Sequence, residues 1–553
     1  MRQTAKSKYF VIPALLSLMA VITLVPAQAE DSEQGNSNDG NARSQIVPNS
    51  SEDRNALGDS HQDVSVCNSA GPGEASCVAV RRDYYLKGVK LNFDSRGGQS
   101  SPNAVAPRVS APPFISADLR AAYGITGTGS PSKLIALVDY SYYPNALSDL
   151  NNYRARYGTA GNTGPMPSCP APIAGRLTLS STGTTGCFAQ LSQNGTTATT
   201  AIPQDSGWSQ EEALDIEMAT AICPSCSIVL IAAKTANFSD LNTAVGAAKN
   251  AGAIAISNSY GGGDFLESGL GSLDNYQLAA AAGIAVTASS GDSGYEVESP
   301  ASFTNVIGVG GTSLYTYGTS GAWASESTWN GAGSGCSIYN LAPSYQSSPG
   351  TPPASCAGKK LVSDVSAVAD PATGVMVVWN GGSYKFGGTS VAAPIIASIF
   401  GANSYTPTPG TYAGAKIWSG KSNLHDISTG SNRSSSTPAI SKIVRNSDGT
   451  LTLTFSTLQS SAIGWMSDIV NISGASLSGF NATGPVTAVG YTIVNRTYYV
   501  ASITVKPIIA VSAGTVTLNS AKVSQIASVL NTSAIGWDGP TGLGTPITAA
   551  AFQ

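Results

Sequence analysis

The chain reads as an α/β protein: a doubly wound, mostly parallel sheet flanked by helices, with a β-rich insertion near the C-terminus. Three observations predict this. Short continuous apolar runs recur between Lys133 and Val309, Ala-rich stretches separate several of them, and the texture changes after about residue 430. Continuous apolar strands alternating with helices mean a parallel sheet covered on both faces, because crossover helices must cover what the strands expose.

The strands come in order. Lys133–Tyr140 is the first, followed by Ser227–Lys234, Ala253–Ser257, Gly283–Ala288 and Val306–Val309. Helical stretches fall at 209–222, 237–250 and 273–282. In such sheets functional sites form where the strands' C-terminal ends meet loops. Beyond 430, Asn446–Gly449 is a turn leading into Thr450–Phe455, and Val486–Leu518 is rich in Val, Ile, Thr and Tyr. This block, 431–530, is bracketed by an echo, Ser461-Ala-Ile-Gly-Trp465 and Ser533-Ala-Ile-Gly-Trp537. One echo does not make a repeat array.

The first residues read as an export signal. Arg2, Lys6 and Lys8 precede an apolar run from Tyr9 to Val25, and Ala27-Gln28-Ala29 is a small-x-small cleavage site. The competing account of this segment is a membrane anchor; no later segment is apolar enough to span a bilayer. Residues 30–112 are polar and aperiodic and read as a leader or a loosely structured arm. The core then occupies 113–430, and a last segment of it resumes at 531–553.

Charged residues make up 11% of the chain, where about 25% is usual. Such a surface changes charge little as pH falls, which suits an extracellular or acidic setting. A net charge of −4, with no basic patch, argues against nucleic-acid binding. The eight cysteines fall into near pairs: Cys67 with Cys77, Cys169 with Cys187, Cys223 with Cys226, and Cys336 with Cys356. An even count in an exported chain reads as disulfides. Cys223-Pro-Ser-Cys226 is also compatible with a redox or zinc half-site, but it lacks the second pair of ligands that zinc needs.

Ser390 ends the polar Gly387-Gly-Thr-Ser390 loop and opens an apolar helical run through Phe400. A serine there lies beside unpaired backbone N–H groups that favour negative charge on a substrate oxygen. Taken alone, a helix-capping serine is the better account. A nucleophilic serine needs a base, and the chain has two histidines, neither with a partner pattern: His61 in the polar arm and His425 in a Leu-His-Asp-Ile turn. Glu211 and Asp215 offer a base instead. Four apart on a helix, they share a face, and two close carboxyls hold one proton tightly. Glu212 and Glu217 are the alternative members, and a solvated acidic face is the competing account. Asp292, in Ser289-Ser-Gly-Asp-Ser-Gly294, lies at the C-terminal edge of the sheet. Ionised, it would repel an oxyanion; protonated, it could donate a hydrogen bond to one. The motif alone is equally a turn or a cation site.

Together these residues resemble the sedolisin family of serine-carboxyl peptidases, which have a subtilisin-like fold. Four blocks carry the resemblance in order across about 115–430: Trp208-x-x-Glu211-x-x-x-Asp215; Ser257-Asn-Ser-Tyr-Gly-Gly262; Ser290-Gly-Asp-Ser-Gly294 followed by Val309-Gly-Gly-Thr312; and Asp364–Pro371 leading to Gly388-Thr-Ser390-x-x-x-Pro394. Gly536–Gly544 resumes it. The resemblance implies Ser390 as nucleophile, Glu211 as its base, Asp215 as the carboxyl that orients Glu211, and Asp292 as the oxyanion residue. Asp139 sits where subtilisin relatives place the triad acid and is a candidate for a wider carboxyl network. The family also implies one structural Ca²⁺, held here by Asp426 and Ile427 with Ala534, Gly536 and Asp538; Ala534 replaces a family glycine.

Two departures stand out. The family usually carries a folded pro-domain of nearly two hundred residues, where only about eighty separate the signal from the core here; the Cys67/Cys77 segment is a candidate reduced propeptide. The insertion also splits the calcium site, so its ends must return close together. The expectation is a secreted, monomeric, serine-type endopeptidase working in acid on protein or peptide substrates, bound to no nucleic acid and, once the signal is removed, to no membrane. The alternative is a secreted binding or adhesion protein on an inactive peptidase scaffold.

Overall fold

A computed structural model describes residues 60–91 and 113–553, apart from short stretches within them such as 461–468 and 508–514. The export signal and residues 30–59 lie outside the described residues.

The central sheet grows from the apolar runs. Its strands are β4 (Leu134–Tyr140), β5 (Phe188–Ser192), β6 (Ser227–Ala233), β7 (Ala255–Asn258), β9 (Ala285–Ser289), β11 (Ile307–Tyr317), β12 (Ala322–Thr328) and β13 (Val365–Val368). The order is β12-β11-β9-β7-β4-β6-β5, with β13 also on β11, and all pairs are parallel except β11–β12. Five of these begin within about two residues of the apolar runs that start at 133, 227, 253, 283 and 306. β11 runs on to Tyr317 because it pairs with β12, a partner no local pattern reveals.

The sheet is covered on both faces. Ile135 and Leu137 of β4 join one core with Leu214 and Met218 of α2 (Ser206–Ile222) and Ile395 and Ile399 of α5 (Thr389–Ala402). Leu134, Ala136 and Val138 point the other way, onto Leu241 and Val245 of α3 (Phe238–Ala251) and Tyr276 and Ala280 of α4 (Asn275–Ala281). The alternation follows from the two-residue period of a strand. On the first face, α1 (Ala146–Tyr157) contributes Leu150 and Tyr153 to the same core.

The described part of the N-terminal arm is ordered, unlike the loose segment its composition suggests. It holds β1 (Ser60–Ser65), β2 (Ser76–Cys77) and β3 (Val80–Leu86). β1 pairs with β3, and β3 with β15 (Gly382–Gly387), whose other partner is β14 (Val375–Trp379). β2 pairs with β8 (Tyr260–Gly263), which also pairs with β10 (Glu298–Ser299). Polar strands of this length gain their stability from non-local pairing and from contacts such as the bidentate Arg82–Asp63 pair, at 2.6 Å for each nitrogen–oxygen contact.

All four expected cysteine pairs are disulfides: Cys67–Cys77, Cys169–Cys187, Cys223–Cys226 and Cys336–Cys356. Cys223-Pro-Ser-Cys226 is therefore a closed loop rather than a metal half-site.

The insertion has its own core. Its strands are β16 (Ile440–Arg445), β17 (Leu451–Ser460), β18 (Ile469–Ser473), β19 (Thr483–Val494), β20 (Thr497–Val505), β21 (Thr515–Thr517) and β22 (Lys522–Gln525), in the order β21-β16-β17-β20-β19-β18-β22. Leu451, Leu453 and Phe455 alternate inward to meet Ile443, Val470, Ile503 and Val523. Hydrogen bonds from Ile440 N–H to Ala521 O and from Val523 N–H to Pro438 O bring the last strand back to the first. Where the block leaves and rejoins the core, Ser431 and Thr532 form an antiparallel bridge. Among the described residues, no helix is long and apolar enough to cross a membrane.

Candidate active site

Ser390 is the second residue of α5. The helix begins there because Gly388 takes φ +101°, a conformation that L side chains rarely adopt. The helix is apolar on every side and wholly buried, so its first turn is fixed against the sheet. The Ser390 hydroxyl donates to Ser259 O at 3.4 Å and lies close enough to Glu211 to favour that carboxyl's ionised form.

Glu211 and Asp215 project from α2, one turn apart. Asp205 caps this helix, its Oδ1 accepting from Gly207 N–H and Trp208 N–H at 2.8 and 3.0 Å. Of the residues from Gly207 to Ile222, only Ser209 escapes burial. The competing account of a solvated acidic face therefore fails. Asp215 Oδ1 accepts from the Ser259 hydroxyl at 2.6 Å, while Asp215 Oδ2 and both Glu211 oxygens have no hydrogen-bond partner. Burial, then the charge of Asp215, then that of Asp139 hold Glu211 well above the usual carboxylate range. Asp215 is raised by burial and by Asp139. Asp139, with neither oxygen partnered, is pushed up to about 8 by burial. These three carboxyls cannot all ionise in one dry pocket, so at acid and neutral pH the cluster retains protons.

Glu212 and Glu217, the alternative members, point elsewhere. Glu212 takes the Ser141 hydroxyl at 3.1 Å, and Glu217 takes Val378 N–H at 2.8 Å.

Asp292 follows β9. Its Oδ1 accepts from Thr389 N–H at 2.7 Å and from the Thr389 hydroxyl at 2.9 Å. Oδ2 is buried without a partner and lies 2.6 Å from where a Cβ on Gly388 would be. Burial outweighs the Thr389 hydrogen bonds and raises Asp292 well above the usual range. Because Oδ1 is taken by two donors, the proton belongs on Oδ2. The arrangement offers a hydroxyl, a carboxyl able to take its proton, and a second carboxyl able to donate one.

Sequence reasoning missed three contributors. Ser259 contacts both Asp215 and Ser390, and Thr389 fixes which Asp292 oxygen is free. Both lie inside motifs whose pattern gave them no separate role. Glu298 is pushed up to about 7 by burial, and its carboxyl lies against Gly261 and Gly291. No local signal marks it, since β10 reaches the site only by pairing with β8. His425 stacks on Trp323 at 3.7 Å between ring centroids, with its main chain paired to Thr545.

At the proposed calcium site, Gly536 N–H donates to Asp426 Oδ2 at 2.9 Å and Ala534 N–H to Asp538 Oδ2 at 3.1 Å. Burial foremost, with the charge of Asp426 as a lesser contribution, pushes Asp538 up to about 7. The carbonyls of Ile427, Ala534 and Gly536 accept no hydrogen bond from other described residues. Asp538 Oδ1 also accepts from Thr541 N–H and the Thr541 hydroxyl at 2.9 Å each; two carboxylates and three carbonyls are the hard oxygens that Ca²⁺ takes, so by donor type the residues fit that ion. Among the described residues, no cluster of three or more His, Cys, Asp or Glu could hold a metal.

Residues 191–407 match the subtilase family. The relatives are more particular. The chain is 35% identical over 189 residues to "Sedolisin" of Pseudomonas sp. (strain 101), covering 28% of this chain and 31% of that protein. It is 32% identical over 248 residues to "Kumamolisin" of Bacillus sp. (strain MN-32), covering 40% and 44%. A solved structure of Pseudomonas sedolisin (serine-carboxyl proteinase), complexed with two molecules of pseudo-iodotyrostatin, aligns with a TM-score of 0.45 at 24% identity, over 58% of this chain and 89% of that one. The matched stretches thus span less than half the length of these two curated relatives.

Proposed function

We propose that the chain is a secreted serine-carboxyl endopeptidase that hydrolyses peptide bonds in acid through an acyl-enzyme on Ser390. The observation that carries this reading is a buried serine at a helix start, with Glu211 close to its hydroxyl and the partnerless Asp292 Oδ2 beside Gly388, two residues earlier. Glu211 takes the hydroxyl proton as Ser390 Oγ adds to the substrate carbonyl. Asp215, keeping its own proton, orients Glu211 and limits the charge that builds in the pocket. Asp292 donates a hydrogen bond from its Oδ2–H to the oxyanion and keeps that proton as the intermediate collapses. Glu211 then returns a proton to the leaving amine, and water repeats the sequence to release the acyl group.

Acid suits this division of labour because Asp292 must be protonated to donate. The low content of ionisable groups and the four disulfides fit an exported protein in such a setting. One structural Ca²⁺ held by Asp426, Asp538 and the carbonyls of Ile427, Ala534 and Gly536 would tie the last segment to the core.

The test compares cleavage of an unfolded protein by wild type, Ser390→Ala and Glu211→Gln between about pH 3 and 7, after processing. General-base loss is worth about 10²–10⁴-fold. Ser390→Ala should abolish cleavage, and Glu211→Gln should reduce kcat/KM on that scale. Equal activity in Ser390→Ala would overturn the reading.

A further inference from the structure

Beside the catalytic centre three strands pair in the order β10-β8-β2. β8 is Tyr260-Gly-Gly-Gly263. On one face of it, Tyr260 packs with Ala75, Cys77 and Trp208. On the other face Gly261 and Gly263 leave room, and the Glu298 side chain fills it from β10, where Glu298 is paired with Gly263. A Cβ on Gly261 would fall on Glu298 Oε2, and one on Gly291 would lie 2.8 Å from Glu298 Oε1. The carboxyl thus sits between two backbone walls, and the second wall is the residue before Asp292.

Residues 76–78 lie along the edge of β8 and show how an extended peptide is held there. Ser76 is opposite Gly261 and Cys77 opposite Tyr260, and Val78 N–H continues onto Ser259 O at 3.4 Å. Directly opposed residues share a face, and alternate residues return to it. Ser76 and Val78 therefore face the side that holds Glu298, while Ala75 and Cys77 face the apolar side. Val78 O and Asp292 Oδ2 both crowd the point that a Cβ on Gly388 would take. The residue at this place is thus the one whose carbonyl stands beside the oxyanion donor. Valine offers a carboxyl no donor, and Glu298 Oε2 is buried without a partner. Glu298 also adds its charge to the neighbouring carboxyls Asp292 and Glu296, and among the described residues none of the three forms an ion pair. A buried carboxylate without a counter-cation is costly, and a ligand can supply the missing charge.

We infer that Glu298 selects the residue before the scissile bond, and that this centre takes extended peptides with lysine or arginine at that place. The inference rests on the function proposed above. A side chain at the place of Val78 enters between Gly261 and Gly291, and its cationic end meets Glu298 Oε2. Lysine and arginine suit such an entry because an apolar stem carries the charge past the backbone walls.

The pairing has a pH signature. Burial pushes the free Glu298 carboxyl up to about 7. Below that pH a proton must leave as the cation enters, so each unit costs a cationic substrate up to about tenfold relative to a neutral one. Asp292 and Glu296 are themselves raised by burial and stay protonated in acid. β8 adds only the Tyr260 phenol, on the opposite face, and β2 adds only the disulfide-bonded Cys77.

The test uses the processed protein and three peptides that differ only in the residue before the scissile bond: lysine, arginine or leucine. kcat/KM is measured between about pH 4 and 6.5, with the cut located by product masses. Groups that act on every substrate cancel in the lysine-to-leucine ratio. In wild type that ratio should be at least about tenfold near pH 6.5, the scale of a hydrogen bond to a charged group, and should shrink toward pH 4. Glu298→Gln should bring it close to 1 and flatten its pH dependence, and Glu298→Asp should keep part of both. If Glu298→Gln does not fold, the wild-type ratio and its pH dependence decide. Wild type that cuts the leucine peptide as fast as the lysine peptide near pH 6.5, or a ratio unchanged in Glu298→Gln, overturns this inference and leaves the proposed function standing. Wild type that cuts neither these peptides nor an unfolded protein at any of these pH values overturns the proposed function and this inference with it.

Discussion

Raising the pH from about 4 to about 7 should weaken this fold, and Asp139 shows by how much. Its carboxyl is fully buried, neither oxygen has a partner, and burial pushes its pKa from 3.8 up to about 8. In the unfolded chain the same group ionises near pH 4. Below that pH both states are protonated and the group contributes nothing. Above it the unfolded chain releases a proton that the folded chain keeps, so stability falls with rising pH until the folded group ionises. Each retained proton gives a slope of about −1.4 kcal/mol per pH unit. Glu298, pushed to about 7 by burial, adds a second such proton over most of the same window. Two retained protons amount to roughly 3 kcal/mol per pH unit near pH 5–6, against a typical total stability of about 5–15 kcal/mol. The assay is urea unfolding of the Ser390→Ala chain, which cannot digest itself, at several pH values and constant ionic strength. Asp139→Asn should flatten the slope by about 1.4 kcal/mol per unit. Stability that is level or rises across the window, or an Asp139→Asn slope equal to the parent's, would refute the reasoning.

Two further predictions concern the site and the metal. Asp292→Asn keeps a donor facing the oxyanion but no longer needs a proton, so the alkaline limb of kcat/KM should move up by about one pH unit or more. A pH profile on a chromogenic peptide reads this, and an unmoved limb would mean that another group limits activity. Chelation should lower the melting temperature by a few degrees, since saturating ligand contributes about 3 kcal/mol at a hundred times its Kd. Asp538→Asn should abolish the chelator effect, and elemental analysis should find about one calcium per chain lost.

Much of the fold was legible because it rests on local patterns. Lys133–Tyr140 and Ser227–Lys234 had to be buried strands, since a continuous apolar run of that length fits little else. That Ser390 and Glu211 lie close together was legible for a different reason: a serine with no histidine partner pattern directs attention to carboxyls. The features that escaped depend on partners distant in the chain. β2 is two residues long, and nothing about Ser76-Cys77 predicts pairing with Tyr260-Gly261. Thr389 and Ser259 act through which oxygen of Asp292 and Asp215 they occupy, information carried by geometry alone. The insertion was visible as β-rich, but its return of last strand to first came only with the pairing of 438–440 and 521–523.

The bridge between Ser431 and Thr532 bears on how such a chain can change over time. Loop-closure entropy rises only as the logarithm of loop length, by about 0.6 kcal/mol per doubling. A block that folds on its own core and leaves with its ends side by side presents the host with a very short loop, whatever it contains. The ends are fastened further by Ser431 Oγ on Asn531 O at 2.6 Å and Asn432 Nδ2 on Ala332 O at 2.5 Å. The position is thus a docking port in the architectural sense. Modules of unrelated sequence could be exchanged there during descent, with the catalytic body feeling little more than a change of hairpin.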